Sequence, residues 1–335
     1  MRAVVLVGGF GTRLRPLTCS RPKQMLPIVN RPMIEHVVGH LSAHGVDDVV
    51  LSLGFRPDDF TATYPDASCA GACLHYAVEP EPLDTAGAIR FAALDAGIDE
   101  RFLVLNGDVL TDLDITAFVA FHERVGAEAT IALHKVADPS RYGVVPTDGD
   151  GRVLEFVEKP PPGEAPTDLI NAGTYVLEPS VLDRIPGGRR VSVEREVFPA
   201  MVEDGRLYAL DDESYWIDTG TPQEYIQAQL DLVESLRGHP VDGVDPSAEV
   251  AEGATVRQSI IGPGVTVAAG ARVEGSVLLA GASVAAGAVV EGSVLGLRAE
   301  VGAGARVVGC SVVGDCETVA PGVALDGVRQ PADCP

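Results

Sequence analysis

The chain has 335 residues, 46% of them hydrophobic and 22% charged, with a formal net charge of −23. No run of about 18 apolar residues occurs, so no membrane-spanning helix is expected, and a pI near 4.5 argues against nucleic acid or an anionic membrane as partner. The length exceeds one ordinary core and predicts two domains.

A first strand is expected at AVVLV (3–7). The glycines Gly8, Gly9 and Gly11 follow it directly and interrupt the apolar stretch where a signal peptide would continue. Residues 1–34 hold Arg2, Arg13, Arg15, Arg21, Lys23 and Arg31 and no acid; the first acidic residue is Glu35. A helix starting at Pro32 and stopping at Gly45 comes next. Further strands are expected at DVVLSL (48–53), LHYAV (74–78), FLVLN (102–106) and ATIALHKV (129–136). Helical patterns occupy about 85–96, 114–125 and 221–237. This alternation predicts an α/β fold, a Rossmann-like, mostly parallel mixed sheet with helices on both faces. Ligands of such sheets bind beyond the carboxyl ends of the strands. GGFG follows the first strand and Gly107-Asp108 follows the fourth.

From about residue 246 the texture changes. Apolar residues recur every sixth position, as in Ile261, Val267, Val273 and Leu278, Val284, Val290. Ser259, Ser276, Ser293 and Ser311 repeat at intervals of 17, 17 and 18. Three hexads per coil with small residues at the corners predict a left-handed parallel β-helix. The expected domains are therefore 1–238 and 239–335. The cysteines Cys19, Cys69, Cys73, Cys310, Cys316 and Cys334 lack paired C-x2-C units. They read as reduced thiols of a cytoplasmic protein.

GGFGTR is neither a Walker A loop nor the dinucleotide fingerprint, yet glycines after a strand let backbone N–H groups approach an anion. Arg13, Arg15, Arg21 and Lys23 add charge suited to a polyphosphate, with a solvated basic loop as the plainer alternative. Lysine is scarce: Lys23, Lys135 and Lys159 are the only three among 25 Lys and Arg residues. Glu79 ends a strand and could accept from both N1–H and N2–H of guanine, or cap a helix. Glu158-Lys159 could be a surface ion pair, and Asp108 a helix cap, although Asp112 or Asp114 could serve instead.

The string GGFGTRLRPLT…RPK, followed in order by EPLDTAGAI (81–89), LNGD (105–108), RYGVV (141–145), FVEKP (156–160), INAGTYVL (170–177) and YWIDTGTPQEY (215–225), resembles the sugar-1-phosphate nucleotidylyltransferases. With its repeat domain it is most similar to the guanylyltransferases acting on mannose-1-phosphate. The resemblance implies Mg2+-dependent reaction of an NTP with a sugar-1-phosphate, giving an NDP-sugar and pyrophosphate. It implies that Arg13, Lys23 and Asp108 carry the catalysis. Leu6, Gly8, Gly9, Gly11, Thr12, Glu79, Thr85 and Gly87 join them around the nucleotide. Gly143, Glu158, Lys159 and Asn171 take the sugar phosphate, and Asp108 with Asp218 hold the metal. Asp84 departs from the family's usual glycine in LGTAG, placing an anion beside the nucleotide loop.

The implied pair is GTP with mannose-1-phosphate. Another pair, such as dTTP, ATP or UTP with glucose-1-phosphate or GTP with a cyclitol phosphate, is the alternative, as is a sugar-nucleotide sensor without turnover. None of the histidines lies in the repeats, so the acetyl transfer of some β-helices is not expected, and that domain reads as a homo-oligomerisation element.

Overall fold

The computed structural model describes all residues except 55, 235, 237–241 and 335. The boundary expected at 238/239 therefore lies outside the described residues. The chain forms two compact units: Met1–Gly9 with Ile34–Trp216, and Phe10–Met33 with Ile217–Pro335.

The first unit is built on a mixed sheet. Strand β1 (Arg2–Leu6) is central and pairs in parallel with β2 (Asp48–Leu53) and β4 (Phe102–Asn106); β3 (Ala72–Val78) extends the parallel set beyond β2. These are the apolar runs of the sequence; β1, β2 and β4 are largely buried on both faces, as central parallel strands require, while the outer β3 is partly exposed. On the other side β6 (Leu169–Leu177) runs antiparallel to β4 and to β5 (Ala129–Lys135), and β7 (Leu207–Asp211) lies parallel to β5. Helices α1 (Met33–Ala43), α2 (Asp84–Asp95) and α3 (Ile115–Val125) fall where the apolar periodicity put them. Asp114 caps α3 by accepting from the Ala117 N–H at 2.9 Å, and Gly126 ends it in the left-handed region. The sheet core gathers Val4, Val104, Ile131, Tyr175 and Phe198.

The second unit contains α4 (Pro222–Val233) and three parallel five-stranded sheets whose strands follow one another at coil intervals. Val250, Val267, Val284, Val301 and Val319 stack in register on one face, and Ile261, Leu278, Leu295 and Val313 on another. This is the arrangement of a left-handed parallel β-helix. The serine register has its own cause. The Oγ atoms of Ser259, Ser276 and Ser293 each accept the N–H of the next serine at 3.2 Å, that of Ser311 accepts from the Val328 N–H at 3.1 Å, and all four donate within their own coil. The single 18-residue interval comes from one extra corner residue at Gly309-Cys310, where both residues take positive φ.

One expectation is overturned. Cys19 and Cys334 form a disulfide across 315 residues, so the six cysteines are not all thiols. Cys69, Cys73, Cys310 and Cys316 are free. A pairing this remote leaves no spacing pattern in the sequence.

Candidate active site

In the first unit the implied nucleotide residues cluster around the end of β1. Leu6 is the last residue of β1, in register with Ser52 and Asn106. Gly8 and Gly9 are exposed beyond it. Glu79 stands beside Gly8: a Cβ added there would lie 3.8 Å from Glu79 Oε1. Its carboxylate is already engaged, with Oε1 accepting from Ser52 Oγ at 3.2 Å and Oε2 from the Leu83 N–H at 3.0 Å. Glu79 thus closes the Glu79–Leu83 loop just before α2, and spare lone pairs remain on both oxygens.

The Leu83–Gly87 turn is tied to the segment around Val191. Ala86 N–H and Gly87 N–H donate to Val191 O, and Val191 N–H to Leu83 O. Thr85 is spent on that connection, donating to Glu194 Oε2 at 2.8 Å and accepting from the Val193 N–H at 2.9 Å. Asp84 has φ 63, a left-handed conformation that glycine adopts freely and that Asp tolerates better than most residues. Its Oδ1 accepts from the Thr85 N–H, and its Oδ2 lies 3.9 Å from Arg190.

Asp108 is half-buried immediately after β4. With Asp114 capping α3, the helix-cap alternative for Asp108 is not used.

The implied sugar-phosphate residues also meet in the first unit. Gly143 pairs with Glu158 across two short antiparallel strands. A Cβ on Gly143 would come within 2.6 Å of the Phe156 ring and 3.1 Å of Glu158 Oε2, so only glycine allows this approach. Lys159 is exposed, 3.2 Å from Glu158 Oε1, and its backbone is left-handed at φ 52. A lysine held in that region is a strained placement of the kind that clusters at functional sites. Asn171 sits at a β-bulge in β6, where its Oδ1 accepts from the Gly173 N–H at 3.0 Å and its Nδ2 donates to Tyr175 OH at 2.9 Å. Full burial raises the Tyr175 phenol far above its ordinary value and keeps it neutral.

Three residues were missed by the sequence reading. Trp216 donates from Nε1 to Ala172 O at 2.9 Å, stacks on His134 at 5.3 Å and meets Tyr142 edge-on at 5.7 Å. They make an aromatic wall beside Asn171 and Gly143. The one signal available was that Trp216 is the sole tryptophan.

In the second unit the signature loop turns at Gly11, φ 59, into the short Thr12–Leu14 turn. A Cβ on Gly11 would lie 2.9 Å from Thr18 and 3.1 Å from Lys23. Arg13 is exposed with its guanidinium 3.9 Å from Asp218 Oδ2. Lys23 is 4% exposed, and its Nζ lies 3.4 Å from Asp218 Oδ1. Gly220 permits this: a Cβ there would fall 2.5 Å from the Arg13 guanidinium. Arg21 is taken up by an ion pair with Asp315, while Arg15 is exposed.

The nucleotidyl transferase family profile matches residues 2–235, and the GMPPB C-terminal domain profile matches residues 240–329. The chain belongs to the nucleotidyl transferase family. Among similar nucleotidyl transferases, mannose-1-phosphate guanylyltransferase of Mycobacterium tuberculosis is 44% identical over 277 residues, covering 78% of this chain and 76% of that protein. Mannose-1-phosphate guanyltransferase of Schizosaccharomyces pombe is 42% identical over 252 residues, covering 74% and 69%. HddC from Yersinia pseudotuberculosis, solved in complex with GMP-PN, has a TM-score of 0.59 at 31% identity, covering 68% of this chain and 97% of that one.

Proposed function

We propose that this nucleotidyl transferase makes GDP-mannose from GTP and mannose-1-phosphate. An oxygen of the sugar phosphate attacks the α-phosphorus of GTP, a new P–O bond forms, and the bond to the β-phosphate oxygen breaks to release pyrophosphate. The attacking oxygen is already anionic, so no general base is needed; the chain's task is to hold two anions in line and stabilise the leaving group. The observation that carries the reading is the cation pair Arg13 and Lys23 set against one carboxylate, Asp218, on the signature loop of a chain 44% identical to a mannose-1-phosphate guanylyltransferase.

In this reading Gly8, Gly9, Gly11 and Thr12 carry the backbone past the triphosphate. Arg13 takes the departing β- and γ-phosphates, and Lys23 lies nearer the α-phosphate. Leu6, Thr85 and Gly87 shape the nucleotide loop, and Glu79 accepts from guanine through its spare lone pairs. Lys159 grips the sugar phosphate. Glu158 and Asn171 take sugar hydroxyls, with Gly143 leaving room for the ring.

Nucleotidyl transferases of this family use a divalent metal, which we read as Mg2+ held by Asp108 and Asp218. Among the described residues no three His, Cys, Asp or Glu side chains gather as ligands. The chain thus offers hard carboxylate oxygens and leaves the remaining positions to phosphate and water, a donor set that suits Mg2+. When bound, the ion withdraws charge from the reacting phosphates.

No helix among the described residues is long and apolar enough to cross a membrane. A cytoplasmic homo-oligomer assembled through the β-helix completes the reading. Its support is the exposure of Val250, Val323 and Val328 on that unit.

Four NTPs tested against several sugar-1-phosphates, with pyrophosphate release as readout and an EDTA control, examine the proposal. GTP with mannose-1-phosphate should exceed the other pairs; a different best pair, or release that persists in EDTA, would refute it. Sedimentation of the full chain tests the assembly.

A further inference from the structure

We propose that Arg329, on the last coil of the β-helix, is a positioning residue for Arg13. Its Nη1 donates to Arg13 O at 2.6 Å and to Arg15 O at 2.5 Å. Backbone accounting shows why these two carbonyls need an outside donor. In the signature turn the carbonyls of Gly11, Thr12, Leu14 and Pro16 all accept backbone N–H groups. Arg13 O would look three residues on, to Pro16, which has no N–H. Arg329 supplies the donor and holds Arg15 O with the same nitrogen.

The holder is itself fixed. Arg329 lies in a strand in register with Val312, inside the parallel ladder of the β-helix. The neighbouring corner grips the same stretch of loop. Asp315 pairs with Arg21 and accepts from Ser20 Oγ at 2.8 Å, while its Oδ1 accepts from the Leu297 N–H at 2.9 Å. The Cys19–Cys334 disulfide adds a covalent link from the same coil end. The side chain of Arg13 is 57% exposed and only 3.9 Å from Asp218, so its placement depends on the backbone beneath it. A guanidinium meant to meet a polyphosphate gains from a fixed backbone because less ordering remains to be done on binding.

This inference rests on the reading that Arg13 holds the leaving phosphates. Steady-state kinetics in both directions on the full chain, kept in dithiothreitol so that the disulfide does not mask the effect, would test it. Arg329→Ala should raise KM for GTP and for pyrophosphate about tenfold, a fraction of what two charge-assisted hydrogen bonds are worth, because the loss reaches the substrate only through the placement of Arg13. KM for mannose-1-phosphate should stay within about twofold if the effect is confined to one cation. Arg329→Lys, which keeps a multiple donor, should recover most of the loss. Unchanged KM values in Arg329→Ala, or equal rises for all three substrates that Lys does not rescue, would overturn the proposal. Arg13→Ala separates the two claims. If it leaves the pyrophosphate KM unaltered, the reading of Arg13 fails and this inference with it; if only Arg329→Ala is silent, this inference alone fails.

Discussion

Lys23 Nζ stands 3.4 Å from Asp218 Oδ1, although 195 residues separate them in sequence. The lysine is nearly buried, and the carboxylate is shared with Arg13 on its other oxygen. Removing one member of such a group leaves a poorly solvated charge behind. Lys23→Met should cost on the order of 3 kcal/mol in denaturant unfolding as well as lowering kcat. A variant of unchanged stability would show that the pair is not coupled in the folded chain.

Lys159 combines a proposed phosphate contact with left-handed backbone. Glycine relieves about 1–2 kcal/mol of that strain while removing the ammonium. Lys159→Gly should therefore unfold at higher denaturant, and its KM for mannose-1-phosphate should rise at least about tenfold with that for GTP little changed. Equal rises in both KM values would count against the assignment.

Asp84 sits at φ 63, a left-handed conformation that favours glycine. Asp84→Gly should fold with stability equal to or about 1 kcal/mol above the parent. Loss of the anion should lower KM for GTP. A rise would mean that the Asp84 carboxylate, near Arg190, helps to shape the nucleotide loop.

His122 is buried, with Nδ1 2.7 Å from Thr130 Oγ1 and Nε2 3.2 Å from Glu178 Oε1. Burial holds its pKa below the ordinary value, outweighing the opposing pull of Glu178. Burial also raises Glu178, but its bonds to Arg101 and His122 prevail and hold that carboxyl below the usual range. In both cases the unfolded chain binds more protons on acidification, so stability rises with pH; the His122 contribution is lost below about pH 6.5 and that of Glu178 only below about pH 4.5. Urea midpoints at pH 7 and pH 5 should show that loss, and His122→Gln should shrink it. An unaltered difference would remove His122 from the account.

The Cys19–Cys334 link is open to direct observation. Peptide mapping without reductant should recover the two cysteines in one cross-linked species that separates in dithiothreitol. Recovery of both as free thiols after purification without reductant would contradict the pairing.

The sheet, the helices and the β-helix were legible because burial imposes a period that one residue after another must satisfy. Val267, Val284 and Val301 announce a coil simply by recurring, and Asp114 and Gly126 punctuate α3 with the chemistry helix ends require. The order of short motifs was enough to indicate the family and its reaction class. Other features have no local signature. Nothing near Glu79 in sequence shows that Ser52 and Leu83 already use its carboxylate, and nothing near Asn171 shows that the bulge at Gly173 takes up its amide. Trp216, His134 and Tyr142 become a wall only when separate strands bring them together. The grip of Arg329 on Arg13 and Arg15, and the bond between Cys19 and Cys334, join positions more than 300 residues apart. Periodicity fixes which residues face inward; which distant polar groups satisfy one another is settled only when the folded backbone brings donor and acceptor within reach.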